Sequence, residues 1–310
     1  MGTGTIECRD LTKRYGKETT ALKRLSFSIP TKGIFALIGR NGAGKTTLIR
    51  ILATELAPTS GTASINGIDV VKEPERIRTA IAVLPQEARA IPWLTAEQEV
   101  FSSLLYRGIG YAESKRRTDS VLTEFGIAKY KDTPSRKLSG GTKRKLLVAA
   151  IVASGAKILF VDEPTTGLDP LSRMEMWDVL SRLKKDRFIF LTTHYLEEAE
   201  RLADNIGIID KGRLMGIGTL DELRKRFKYQ YSIRILKSGH AIKPRYGETI
   251  VGVDGTVQVM TTEDEANKLS RELIKDRVRF SMNPLSLDDI FYYLVKKPIE
   301  EGETGGSEEW

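Results

Sequence analysis

The segment Gly39-Arg40-Asn41-Gly42-Ala43-Gly44-Lys45-Thr46 has a glycine, four residues, and then Gly-Lys-Thr. This is the P-loop pattern, and its residue types suit one task. Glycines let successive backbone N–H groups turn inward toward phosphate oxygens. A lysine beside them can place a mobile charge on the terminal phosphates, and the threonine hydroxyl can face magnesium. A chance glycine-rich turn would lack the right neighbours. Here Ile34-Phe35-Ala36-Leu37-Ile38 precedes it as a short apolar run. Helical spacing follows over Thr46–Leu56 through Leu48, Ile49, Leu52 and Leu56. The strand, loop and helix therefore come in the order that aims a positive helix end at an anion.

Hydrolysis of a bound triphosphate also needs a carboxylate on the magnesium side and a group to handle water. The run Lys157–Val161 leads out of a buried strand into Asp162-Glu163-Pro164. Asp162 is placed to hold the ion through water, and Glu163 to polarise the attacking water. Alone, two acids at a strand end would read as a solvated turn; beside a P-loop they read as a site. A third cluster is Leu138-Ser139-Gly140-Gly141, followed by a helical run over Thr142–Ser154. Lys143, Arg144 and Lys145 crowd the first turn of that helix. Exposed cations there oppose the helix dipole at about 0.3–1 kcal/mol each. An anion bound at Ser139 and the backbone of Gly140 and Gly141 would reverse that cost; a solvated lysine-rich face is the plain alternative.

The elements that must position these residues are legible in outline. Residues 1–36 read as strands and turns. Residues 88–155 are mostly helical, with apolar positions at Val100, Leu104, Leu105, Val121, Leu122 and Phe125. Core-type strands return at Ile158–Val161, Phe188–Leu191 and Ile206–Ile209, with Leu171–Lys184 as a helix able to cross over the sheet. Thr219-Leu220-Asp221-Glu222 is a capping box. After Phe227 the texture changes to strand-like pieces at Tyr231–Leu236, Thr249–Val253 and Thr256–Met260. A helix over Glu263–Lys275, a strand over Arg277–Met282 and a helix over Leu287–Val295 follow.

Length and composition set the outer bounds. The chain has 310 residues, 40% hydrophobic and 29% charged, which permits a packed core and disfavours wholesale disorder. Lys plus Arg number 49 against 41 Asp plus Glu, a formal charge of +8 that suits anionic partners but is also ordinary for a soluble protein. Cys8 is the only cysteine, so neither an internal disulfide nor a cysteine metal site is expected. The first residues lack a signal-peptide pattern. The longest apolar run, Leu146–Ala153, has 8 residues, against the roughly 18–20 needed to span a bilayer. A membrane role is therefore expected to come through a separate partner.

Together these parts resemble the nucleotide-binding subunits of ABC transporters over roughly residues 5–225. Residues 39–46 match Walker A, 158–163 match Walker B, Leu138–Gly141 resembles the signature motif and Gly167-Leu168-Asp169 the D-loop. Gln86 resembles the Q-loop glutamine, His194 the switch histidine, and Tyr15 the aromatic that stacks on adenine. The resemblance implies an α/β P-loop NTPase core with antiparallel β and helical subdomains, the latter over about 88–155. The expected divisions are an ATPase domain at 1–227, a small α+β domain at 228–298 and an acidic tail at 299–310. It implies ATP and Mg2+ as ligands. Tyr15, Gly39, Asn41, Gly42, Ala43, Gly44, Lys45, Thr46 and Thr47 would face the nucleotide of their own chain. Ser139, Gly140 and Gly141 would face that of a second such domain packed head to tail. Glu163, His194, Gln86 and Lys45 would act in hydrolysis, and Thr46, Gln86 and Asp162 would hold the metal.

The same resemblance implies a separate transmembrane permease, and a position on the cytoplasmic face of the membrane. The stretch after Gln86, including Trp93 and Phe101, resembles the surface that receives the permease. One departure is plain: the signature usually continues with glutamine, and this chain has Thr142 followed by Lys-Arg-Lys. That form, and Pro284–Phe291 near the end, resemble an exporter-type branch that includes lipid and drug exporters. The alternative is a soluble relative acting on ribosomes or nucleic acid. Such relatives usually carry two cassettes or long coiled coils, and this chain has one cassette and no sustained heptads. His240, in a Lys-Ser-Gly-His turn, matches no motif.

Overall fold

The computed structural model describes residues 4–235, 246–251 and 256–296. His240 and the acidic tail lie outside the described residues. The chain divides between Met215 and Gly216 into two compact units.

The first unit is organised by a six-stranded sheet. Its members are β3 (Ile34–Ile38), β6 (Ile81–Leu84), β7 (Ile158–Asp162), β8 (Phe188–Thr193), β9 (Asn205–Asp210) and β10 (Arg213–Gly218). Their spatial order is β10-β9-β3-β8-β7-β6. The run from β9 to β6 is parallel throughout, with Ala36 opposite Leu191 and Ile206, and Phe160 opposite Phe190 and Val83. Strands buried on both faces read as unbroken apolar runs, and every residue of β3, β7 and β8 is buried. Phe35, Phe190 and Phe160 pack in sequence across the sheet with ring centroids 5.0 and 5.5 Å apart.

A second, antiparallel sheet has the order β2-β1-β4-β5. It is formed by β1 (Thr5–Tyr15), β2 (Thr19–Pro30), β4 (Ser60–Ile65) and β5 (Ile68–Asp69). The helices between strands are α1 (Lys45–Leu52), α2 (Pro74–Ala80), α3 (Ala96–Tyr106), α4 (Tyr111–Glu124), α5 (Gly140–Ala153), α6 (Pro170–Leu183) and α7 (Leu196–Leu202). α3, α4 and α5 pack on one another and form the helical region expected over 88–155. Helix α6 connects β7 to β8 as the crossover that parallel pairing requires. Helix α1 ends at Leu52 rather than running to Leu56. Thr54 turns left-handed at φ 63°, and the N–H groups of Glu55 and Leu56 both fold back to Arg50 O.

The second unit has a four-stranded sheet of order β12-β13-β11-β14. Its strands are β11 (Tyr231–Ile235), β12 (Glu248–Val251), β13 (Val257–Thr261) and β14 (Phe280–Pro284). The helices are α8 (Leu220–Lys225), α9 (Glu263–Lys275) and α10 (Leu287–Lys296). Ala266, Leu269 and Leu273 of α9 share a core with Ile233, Ile235 and Val259. The unit begins earlier than the change of sequence texture at Phe227. Packing explains this: Gly216 lies against Leu223 of α8 and Leu294 of α10, and Arg224 Nε donates to Leu285 O at 2.7 Å. Thr219 caps α8 reciprocally with Glu222, as its capping box predicts. No described helix is long and apolar enough to cross a membrane.

Two outcomes follow from this packing. Phe190→Ala removes the middle ring of the stack, and chemical denaturation should show a loss of about 3–5 kcal/mol. Cys8 is buried, and burial pushes its thiol well above the ordinary range. The thiolate is the reactive form, so maleimide should modify the native chain far more slowly than the unfolded chain.

Candidate nucleotide site

Four adjacent parallel strands end at the same edge, where ligands collect in open α/β sheets. β3 runs into the P-loop, β8 into His194, β7 into Asp162-Glu163, and β6 into Gln86. Loop and helix meet at Gly44, whose φ of 111° is left-handed. A Cβ there would also sit 2.6 Å from Ala21 O, so position 44 excludes any side chain. The loop is anchored from outside by Gly212, whose N–H donates to Ala43 O at 2.9 Å.

The expected residues converge on Glu163, which is 5% exposed. Lys45 Nζ donates to Gly39 O at 2.8 Å and Arg40 O at 3.2 Å, and lies 3.2 Å from Glu163 Oε1. The other carboxylate oxygen, Oε2, accepts from Gln86 Nε2 and Thr166 Oγ1, each at 3.1 Å, and His194 Nδ1 lies 3.0 Å from it. Glu163 itself is left-handed, with φ 47°. Such strain persists only where surroundings over-determine it, and it concentrates at functional sites.

Asp162, 1% exposed, lies behind Glu163. Its Oδ2 accepts from Thr46 Oγ1 at 2.8 Å, and its Oδ1 from the Thr192 hydroxyl. Thr46, Asp162 and Gln86 thus offer a hydroxyl, a carboxylate and an amide. These are oxygen donors of the kind a hard divalent cation takes. Magnesium needs only one or two carboxylates when substrate phosphates complete its shell, so the residues present fit it. The described residues contain no group of three or more His, Cys, Asp or Glu side chains able to hold a metal.

Tyr15 is 40% exposed, and its hydroxyl lies 3.4 Å from Thr47 Oγ1 at the start of α1, so a largely open ring borders the P-loop. Asn41 and Gly42 are exposed at the loop's crest, and Ala43 is buried beneath.

The Ser139–Gly141 cluster makes its bonds elsewhere. Ser139 caps α5 by accepting from Thr142 N at 3.2 Å, and its hydroxyl shares a hydrogen bond with Thr142 Oγ1 at 2.8 Å. A Cβ on Gly141 would meet Ser172 Oγ at 2.4 Å, so this glycine permits α5 to approach α6. The cations of α5 do not act as one cluster. Arg144 is 8% exposed and donates to the backbone oxygens of Asp162, Glu163 and Pro164 at 3.1, 3.1 and 2.9 Å. Burial lowers its affinity for the proton, opposed by the charges of Asp162 and Glu198. Lys145 pairs with Glu175 at 2.7 Å. Lys143 and Arg144 both line a cavity, together with Gln86, Arg89, Arg136 and Gly167.

Sequence reasoning missed Arg144's role, Thr166 and Thr192, because each acts through contacts 3 to about 30 residues away in the chain. Trp93 is 74% exposed, whereas Phe101 is half-buried against Tyr111, with centroids 5.1 Å apart.

Residues 22–166 match the family model described as ABC transporter. The chain is 33% identical over 317 residues to the daunorubicin/doxorubicin resistance ATP-binding protein DrrA of Streptomyces peucetius, covering 97% of this chain and 96% of that one. It is 32% identical over 238 residues to the phospholipid-transporting ATPase ABCA3 of Rattus norvegicus, covering 76% of this chain but 14% of that much longer protein. A solved structure described as the ATP-binding subunit of an ABC transporter superposes with a TM-score of 0.63 at 32% identity, covering 72% of this chain and 92% of its own. Members of this family work with transmembrane components and dimerise. The match to DrrA spans nearly both chains, so it takes in the second unit as well as the nucleotide site. The chain belongs to the ABC transporter family, as an ATP-binding and ATP-hydrolysing subunit.

Proposed function

We propose that this subunit powers an exporter by hydrolysing ATP between two copies of itself, docked on the cytoplasmic face of a separate transmembrane permease. The single observation that carries the hydrolytic part is the convergence of Lys45, Gln86, Thr166 and His194 on the buried Glu163. In this reading the P-loop amides of residues 39–46, with Thr47, receive the phosphates, and the Tyr15 ring takes adenine by its open face. Lys45 can serve either Glu163 or a phosphate. A terminal phosphate that takes the ammonium frees Glu163 Oε1 to accept a proton from water, while His194 and Gln86 keep that carboxylate oriented. Thr46, Asp162 and Gln86 would hold magnesium, which supplies charge neutralisation on the phosphates when bound.

Ser139, Gly140 and Gly141 serve the nucleotide of the other copy. The Ser139 hydroxyl bonds within one chain to Thr142, and Ser139 and Gly140 are exposed, which supports that assignment. The exposed Trp93 beside the Gln86 segment supports a docking surface for the permease. Export is supported by the nearly full-length likeness to a drug-resistance ATP-binding protein and by the partial likeness to a phospholipid-transporting ATPase. The described part of residues 228–298 carries no catalytic constellation, and this region serves dimer packing or regulation.

Glu163→Gln should bind ATP with near-normal affinity and turn over at least about 100-fold more slowly, trapping a dimer detectable by size-exclusion chromatography. Undiminished hydrolysis would remove Glu163 from its role. Lys45→Ala should weaken nucleotide affinity by about tenfold or more, and unchanged affinity by fluorescent-nucleotide titration would argue against the P-loop assignment. Capture from native membranes with the Glu163→Gln chain and ATP should recover a multi-span membrane protein. Ribosomes or nucleic acid in its place would overturn the transporter partner.

A further inference from the structure

Behind the site lies a carboxyl group that the steps above do not use. Glu198, in α7, is 0% exposed. Its Oε1 accepts from Thr165 Oγ1 at 2.8 Å and from Trp177 Nε1 at 2.9 Å. Its Oε2 is equally buried, and the side chain of Thr193, the residue before His194, also favours the charged carboxylate. Glu198, Thr165 and Trp177 belong to three different parts of the chain. Thr165 sits two residues after Glu163 and opens the turn that becomes Gly167-Leu168-Asp169. Trp177 is on α6, and Glu198 is four residues past His194. Burying a carboxyl costs stability unless its oxygens are met by donors, and here the donors come from the loop after Glu163 and from α6.

The surrounding contacts supply the geometry. Thr166, next to Thr165, donates to Glu163 Oε2 at 3.1 Å, the same oxygen that His194 approaches at 3.0 Å. The Tyr195 ring stacks beside His194 with centroids 4.1 Å apart, and the Arg173 guanidinium of α6 lies 4.2 Å from the centroid of that ring. Arg201 of α7 lies over the Trp177 ring at 5.1 Å. Helix α6 begins at the Asp169 cap, whose side chain accepts from Ser172 N at 3.0 Å. The loop after Glu163 and the turn carrying His194 are therefore joined through α6, and Glu198 is the one side chain that bonds to both the loop and α6.

We propose that Glu198 is a positioning residue for hydrolysis: by holding the Thr165 hydroxyl and the Trp177 indole on one oxygen, it locks the loop of residues 165–169 and the His194 turn into one body, so that Thr166 and His194 reach Glu163 together. This rests on the reading of Glu163 as the group that handles water. Burial raises the affinity of Glu198 for its proton, opposed by its hydrogen-bond donors and by the charge of Arg173. A neutral side chain of the same shape therefore keeps the lock, because the acceptor oxygen does the work.

The test is steady-state ATP hydrolysis by the full chain, with nucleotide affinity and melting temperature measured on the same preparations. Glu198→Ala and Thr165→Val should each lower kcat about tenfold or more, because small misplacements of reacting groups cost rate steeply. The KM for ATP should stay within about twofold, since P-loop contacts are untouched. The double variant should be no slower than the slower single, as expected for residues acting as a unit. Glu198→Gln should recover kcat to within about threefold of the parent, because the amide oxygen still accepts both bonds. A merely structural Glu198 would lower the melting temperature and leave kcat per folded molecule unchanged. That result, a multiplicative double variant, or a normal kcat in Thr165→Val would overturn the proposal. If Glu198→Ala does not fold, Thr165→Val alone decides it, since threonine and valine share a shape. Glu163→Gln run alongside separates the failures: arrest there with a normal Thr165→Val removes only Glu198, and continued turnover there removes the reading of Glu163 itself.

Discussion

Two adjacent carboxylates, Asp162 and Glu163, are held out of water at the tip of a buried strand, at 1% and 5% exposure. Desolvating an ion costs several kcal/mol even after relaxation, and an uncompensated one is strongly destabilising. The surroundings answer that cost group by group. Lys45 brings a buried countercharge, while Thr46 and Thr192 donate to Asp162 and Gln86 and Thr166 donate to Glu163. Arg144 takes the three backbone oxygens of the turn that carries them. Because the compensation comes from so many segments, the carboxylates cannot stay where they are unless the P-loop, β6, β8 and α5 are all in place. The chemistry and the fold are the same set of contacts here.

The sheet makes that convergence possible. In a parallel sheet, each strand returns through a crossover on one face, so every carboxyl end lies along the same edge. Strands β3, β8, β7 and β6 are neighbours, and each ends in a residue the site uses. The phenylalanine stack below them, Phe35–Phe190–Phe160, ties the three central strands by apolar packing. A charged edge thus rests on a dry interior, and displacement of one strand would shift all four functional ends.

The helices divide their labour by what they bury. α6 and α7 present Trp177, Glu198, Leu180 and Leu202 to the interior and keep the segments after Glu163 and at His194 in mutual register. α5 reaches the same region from the other side through Arg144. Two of its cations that look unfavourable at a helix start, Arg144 and Lys145, are accounted for by backbone carbonyls and by Glu175. The apparent breach of the helix-dipole rule is resolved by partners about 20 to 30 residues away in sequence, which no local pattern reveals.

Much of this protein was determined by sequence alone, because its chemistry rests on short-range order. The P-loop works through consecutive backbone N–H groups and one lysine, so its residue string already specifies its shape. The same holds for the acid pair at the end of β7, the Thr219–Glu222 capping box and the amphipathic run of α9 over Glu263–Lys275. Tertiary structure alone decided what depends on contacts between distant segments. The early end of α1 is set by a left-handed Thr54, and the start of the second unit at Gly216 is set by α8 packing on α10. Arg144 turned inward, Thr192 beneath Asp162 and Glu198 joining Thr165 to Trp177 of α6 are equally invisible in the chain order. A buried arginine and a solvated one are the same letter in the sequence. Which it becomes depends on the carbonyls that folding brings within about 3 Å.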